Sequence, residues 1–137
     1  MPDPVPSFSV CRILKSLDIF SEISEEDLNA LVSAAQAIEL ENGERVLAAG
    51  DICKSMYVVT EGRLSVCDGD TELTLLEKGS VFRKLAVLAN EPCPYDITSV
   101  GETCLLRLDQ KPLYDFMADH PQAARGVIRS LCHALNS

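Results

Sequence analysis

Apolar positions follow first a helical and then a strand-like period. From Ser9, the residues Val10, Ile13, Leu14 and Leu17 lie at i, i+3, i+4 and i+7, one face of a short helix. A second helix is predicted after Ser24, whose hydroxyl suits an N-cap. Glu25, Glu26 and Asp27 put negative charge at the positive end of its dipole, and Leu28, Leu31, Val32 and Ala35 repeat the apolar spacing. Residues 1–8, rich in proline, are expected to be a flexible lead-in to one domain spanning 9–137.

After Ala35 the period shortens to two. Ile38 and Leu40 alternate with Glu39 and Glu41, Asn42-Gly43 signals a turn, Val46 and Leu47 form a short run, and Gly50-Asp51 turns again. Met56 to Thr60 predicts a strand, Glu61-Gly62-Arg63 a turn, Leu64 to Cys67 a strand, Asp68-Gly69 a hairpin and Thr71 to Leu76 its return. Ile97 to Val100 and Thr103 to Leu108 form a last pair around Gly101. Turn signals this regular leave no room for crossover helices. The expected fold is therefore mainly β (α+β), an eight-stranded jelly-roll β-barrel flanked by N-terminal and C-terminal helices.

Helical spacing resumes near the end. Asp109 is placed to cap a helix bearing Leu113, Phe116 and Met117, with Pro112 tolerated in its first turn. His120-Pro121 interrupts, and a final helix carries Ala124, Val127, Ile128, Leu131 and Leu135 on one face. That seam is expected to pack on the chain's own barrel rather than on a partner chain. Gly126 weakens the helix by about 1 kcal/mol, and the seam is short for a coiled coil.

Composition narrows the function. With 137 residues the chain can bury a core without metal or disulfide, and its net charge of −9 argues against a nucleic-acid partner. No apolar run approaches the roughly 20 residues that span a bilayer, so no membrane insertion is expected. The first residues lack the basic start and apolar core of a signal peptide, which points to a cytoplasmic protein. Six cysteines, at 11, 53, 67, 93, 104 and 132, form no CxxC pair and read as small hydrophobes, with no metal site and no cofactor implied. His120 and His133 are far apart, and no Ser/His/Asp or Cys/His arrangement has positional support, so no catalytic residues are assigned and an enzyme is not expected.

The candidate site is the stretch from Glu77 to Asp96. Gly79 opens a turn, Arg83 to Ala89 is predicted to form a short helix whose first N–H groups could meet an anion, and Pro92 and Pro94 fix the backbone that follows.

Leu17-Asp18-Ile19-Phe20, Gly43, Gly50-Asp51, Met56-Tyr57-Val58-Val59 before Glu61-Gly62, Leu76 before Gly79, and Leu105-Leu106-Arg107-Leu108 together resemble the cyclic-nucleotide-binding domain family. That family includes bacterial catabolite activators and regulatory subunits of cyclic-AMP-dependent kinase. The resemblance runs from about Ile13 to Leu135 and implies that the Glu77 to Asp96 stretch is a phosphate-binding cassette. The family's usual cassette reads Phe-Gly-Glu-Leu-Ala-Leu-Leu, then Pro-Arg-x-Ala-Thr. Here it reads Phe82-Arg83-Lys84-Leu85-Ala86-Val87-Leu88, then Pro92-Cys93-Pro94-Tyr95-Asp96.

By this resemblance Lys84 replaces the glutamate that would hold the ribose, and it has no acceptor lone pair. Cys93 replaces the arginine that would neutralise the phosphate, and Asp96 brings a negative charge where a hydroxyl residue is usual. A charge-assisted hydrogen bond contributes roughly 1.5–3 kcal/mol, so losing two of them should weaken cyclic AMP or GMP by about a hundredfold or more. The resemblance therefore implies a regulatory module with a degenerate cassette at Phe82, Arg83, Lys84, Leu85, Ala86, Cys93, Pro94, Tyr95 and Asp96, in which Lys84 is expected to pair with Asp96. The alternative is a working sensor of a cyclic nucleotide or other small anion, using Arg83, Lys84 and backbone N–H groups. Other domains of a larger polypeptide are further expected partners.

Overall fold

The computed structural model describes residues 7–17, 20–52, 54–83 and 90–136. Its elements run α1 (Ser7–Lys15), α2 (Glu25–Ser33), β1 (Gln36–Leu40), β2 (Arg45–Leu47), β3 (Ser55–Asp68), β4 (Thr71–Glu77), β5 (Val81–Phe82), β6 (Asp96–Asp109), α3 (Gln110–Asp119) and α4 (Pro121–Asn136). They gather into two compact units, one made of Gln36–Gln110 with all the strands, the other of the helices before and after it in sequence.

Two 14-residue strands, β3 and β6, organise the sheet. They pair antiparallel from Ser55 with Asp109 to Cys67 with Asp96. On the other edge of β6 lie β1 and β2, and β3 also pairs with β4 and β5. The class is mainly β as expected, with six strands among the described residues where eight were expected. The signals at Glu61-Gly62-Arg63 and at Gly101 are not hairpin turns but irregularities inside continuous strands. The β3 to β6 register shifts between Val59 and Glu61 and again between Glu61 and Arg63. Such bulges bend a strand without ending it, and a single sequence marks both events with the same glycine.

Gly62 has a second reason to be glycine. At a φ of +80°, a Cβ built there would stand 2.4 Å from the Glu102 carbonyl oxygen and 2.8 Å from Thr103 Cα. The two long strands approach so closely at the bend that no side chain fits.

The core of the strand unit joins Leu47, Tyr57, Val59, Leu64, Val66, Phe82, Cys93, Ile97 and Leu105. Residues from Ser55 to Thr60 are buried on both faces, which explains why that run reads as continuous rather than alternating.

In the helical unit, α1 begins at Ser7, two residues earlier than its periodicity suggests, and buries Val10 and Leu14. Ser24 caps α2 as expected, its hydroxyl oxygen accepting from the Asp27 N–H at 3.1 Å. The capping expected of Asp109 gives way to another role. Its Oδ1 accepts from the Ser55 hydroxyl at 2.7 Å and forms an ion pair with Arg107, 2.9 Å from Nε, tying the ends of the long strands together.

Helix α4 also corrects an expectation. Among its described side chains and glycine, Ala123 and Gly126 are the buried positions, whereas Ile128, Leu131 and Leu135 are 61%, 50% and 86% exposed. Arg125 and Arg129 both reach Glu22 Oε2, at 3.6 and 3.3 Å, and Arg129 also donates to the Ser21 hydroxyl. Periodicity locates an apolar face; it does not say which side of the helix the ion pairs and the small residues will draw inward.

Candidate functional site

The site is built where β5 ends and β6 begins. Phe82 pairs with Tyr57 across the β3 to β5 ladder, and the rings stack with centroids 4.9 Å apart and planes 10° from parallel. Phe82 is therefore part of the core. The chain then reverses through Arg83, whose φ is 62°, a left-handed conformation that costs a residue with a Cβ roughly 1–2 kcal/mol. The resemblance puts a glycine at this position, the residue that tolerates such a φ best.

Arg83 Nη2 donates to the Glu91 carbonyl oxygen at 2.9 Å, bridging the two ends of the cassette. Its Nε is buried without a hydrogen-bond partner among the described residues. Lys84, Leu85 and Ala86 lie outside the described residues, as does the rest of the expected helix after Arg83, so neither that helix nor the expected pairing of Lys84 with Asp96 is part of the described site.

The returning segment is tied to the loop at 48–52 by backbone. The Cys93 N–H donates to the Asp51 carbonyl and the Gly50 N–H to the Cys93 carbonyl, both at 2.7 Å, and Pro92 forms a bridge with Ile52. This places the Cys93 side chain inward: it is 1% exposed, belongs to the apolar core, and its thiol donates to the Tyr95 carbonyl at 3.2 Å. Pro94 and Tyr95 face outward. Asp96 Oδ1 accepts from the Ala49 N–H at 2.9 Å, so that carboxylate oxygen is engaged by backbone.

Two participants are missing from the sequence reading. Asn90 takes a φ of 54° and accepts from Gln110 Nε2 at 2.7 Å, anchoring the far end of the loop. Asparagine before a proline-containing stretch is a usable signal for such a left-handed position. The second is the 48–52 loop. Gly50-Asp51 is legible as a turn, and Asp51 Oδ2 indeed accepts from the Ala48 N–H at 3.0 Å, but its docking on Cys93 joins residues more than 40 positions apart.

Four of the described candidate positions thus turn to the protein itself: Phe82 to Tyr57, Arg83 to Glu91, Cys93 to the core, Asp96 to Ala49. Residues 37–120 match the family model of the cyclic nucleotide-binding domain. The chain is 31% identical over 130 residues to a cyclic nucleotide-gated cation channel protein of Drosophila melanogaster, a match covering 89% of this chain and 20% of that protein. Among solved structures, the N-terminal domain of a transcriptional regulator from Streptomyces coelicolor A3(2) superposes with a TM-score of 0.80 at 21% identity, over 90% of this chain and 92% of that one. The regulatory domain of Toxoplasma gondii PKA, in co-crystal with cAMP, superposes with a TM-score of 0.72 at 27% identity, over 85% of this chain and 46% of that one. The strand unit and the match over 37–120 agree: this chain belongs to the cyclic nucleotide-binding domain family.

Proposed function

We propose that this chain is a non-enzymatic regulatory module of the family that binds cyclic AMP and cyclic GMP weakly or not at all. The observation that carries this reading is Cys93. At the position where the resemblance puts a phosphate-neutralising arginine, a neutral thiol is buried in the apolar core and donates to Tyr95. Asp96 adds to it, because a carboxylate held beside the Ala49 N–H repels a phosphate rather than attracting one. Isothermal titration with each nucleotide is the direct experiment. No heat of binding at micromolar ligand is expected, and micromolar affinity for either nucleotide would sink the proposal.

One observation favours a second reading. The buried Nε of Arg83 has no partner among the described residues, and a small anion would supply one. Under that reading Arg83 and Lys84, with cassette N–H groups, sense an anion other than the usual cyclic nucleotides. A thermal-shift screen of small anions distinguishes the two, since a ligand bound only by the folded state raises the melting temperature.

The chain spans 20% of the length of the Drosophila channel protein, which supports a module acting on other domains of a larger polypeptide. No helix among the described residues is long and apolar enough to cross a membrane. The five described cysteines are free thiols, which supports a reducing, cytoplasmic setting.

A further inference from the structure

Between α1 and α2 the chain carries an exposed tip at Ser21 and Glu22. Phe20 and Ile23, 0% and 2% exposed, anchor it on either side, and the Ile23 N–H donates to the Phe20 carbonyl at 3.1 Å. The two polar side chains are therefore presented from a fixed backbone.

Helix α4 meets this tip with two cations. Arg125 and Arg129 stand four residues apart on one side of the helix. Both aim at the same atom, Glu22 Oε2, which lies 3.6 Å from Arg125 Nε and 3.3 Å from Arg129 Nη2. A guanidinium–carboxylate hydrogen bond usually closes to about 2.7–2.9 Å, so one carboxylate oxygen is shared by two cations and satisfies neither fully. Two arginines against one glutamate leave a formal charge of +1 at this point, in a chain whose net charge is −9.

The Ser21 hydroxyl lies inside the same cluster, its oxygen accepting from Arg129 Nη1 at 3.0 Å. A neutral hydroxyl leaves the surplus charge uncompensated. A phosphate on that oxygen would bring about −1.5 to −2 charges and three strong acceptors, enough to engage both guanidinium groups. Ser24 offers the contrasting hydroxyl. Its oxygen already caps α2 by accepting from the Asp27 N–H, and a phosphate there would meet the carboxylates of Glu25, Glu26 and Asp27.

We propose that Ser21 is a phosphorylation site whose phosphate is gripped by Arg125 and Arg129, locking the tip between α1 and α2 onto α4. In the transfer the Ser21 oxygen forms a bond to the terminal phosphorus of a nucleoside triphosphate and the bond from that phosphorus to its bridging oxygen breaks. The hydroxyl proton passes to the kinase, and the nucleoside diphosphate leaves. Glu22, Glu25, Glu26 and Asp27, which follow the hydroxyl, select a protein kinase with a basic substrate groove.

Two measurements test it. Incubation of the folded chain with an acid-directed protein kinase, magnesium and ATP should place one phosphate, located on Ser21 by mass spectrometry and lost in Ser21→Ala. No phosphate on Ser21 overturns the proposal, and so does phosphate confined to Ser24. Phosphoserine installed at position 21 during synthesis of the chain should raise the folding equilibrium constant about tenfold in urea unfolding. Arg125→Gln and Arg129→Gln should each remove most of that gain, and Glu22→Gln, which takes away the competing carboxylate, should enlarge it. No gain, or a gain unchanged in both arginine variants, overturns the grip. Added salt should shrink the gain without any variant, so a misfolded arginine variant leaves the test intact: a gain indifferent to salt overturns the grip as well.

Discussion

Arg83 Nη2 and the Glu91 carbonyl oxygen, 2.9 Å apart, close the cassette from its two ends, with Arg83 held at a left-handed φ of 62°. Two opposing terms meet in this residue: the conformational cost of a Cβ there, roughly 1–2 kcal/mol, and a hydrogen bond from a charged donor, roughly 1.5–3 kcal/mol before discounting for its exposure.

They make Arg83→Ala and Arg83→Gly behave differently. The alanine variant keeps the strain and loses the bond, so it should lower stability by about 1 kcal/mol. The glycine variant loses both and should lie close to the parent. Urea unfolding of the three chains reads the difference; an alanine variant as stable as the parent would show that the bond contributes nothing, and one as stable as the glycine variant that the strain does not.

Gly62 and Gly43 have almost the same φ, 80° and 82°, but only Gly62 is crowded, with the Glu102 carbonyl 2.4 Å from a built Cβ. Gly43→Ala should therefore cost about 1 kcal/mol, the conformational term alone. Gly62→Ala should cost at least about twice that, because β3 and β6 must also move apart. Thermal unfolding of both variants compares them directly.

Cys93→Arg returns the residue that the family resemblance expects, yet places a guanidinium where the thiol is 1% exposed among Leu47, Tyr57, Val59 and Leu64. We expect a loss of about 3 kcal/mol and no gain of cyclic nucleotide binding from this change alone. Calorimetric titration of the folded variant with cyclic AMP checks the second half, and restored binding would show that the segment can turn its side chain outward.

The thiols of Cys11 and Cys104 are both raised above the ordinary range, by burial first, and then by Glu25 beside Cys11 and by Glu39, Glu61 and Glu102 around Cys104. The folded chain therefore keeps protons that the unfolded chain releases. Below the ordinary thiol range both states are protonated and these groups contribute no pH dependence. As pH rises through that range the unfolded state ionises first, and stability should fall until the raised folded values are passed. Unfolding free energies at pH 7.5 and 9.5 should show the decline, and a Cys11→Ala/Cys104→Ala chain should show a shallower one.

Helix α2 and its cap are legible in the sequence because their determinants are local. Ser24, its Asp27 partner and the Leu28, Leu31, Val32 face lie within nine residues of one another, and the structure places all of them as the spacing predicts. Continuity of β3 and β6 is not legible, since a glycine at positive φ serves a turn and a bulge equally, and only the facing strand distinguishes them at Gly62. The buried side of α4 escapes the sequence for a related reason: its periodicity names the apolar side, while Ala123, Gly126 and the two arginines on Glu22 decide which side goes in.

For the candidate site, the sequence by itself determined the resemblance to the family and the residues that stand at the candidate positions, Arg83, Lys84, Cys93 and Asp96 among them. Only the tertiary structure decided what the described ones touch. Cys93 is turned inward by hydrogen bonds to residues 50 and 51, and Asp96 is engaged by the N–H of residue 49. These partners lie more than 40 positions away along the chain. A polar side chain's role follows from which backbone groups the fold brings beside it, and that proximity is set by strand register rather than by neighbours in sequence.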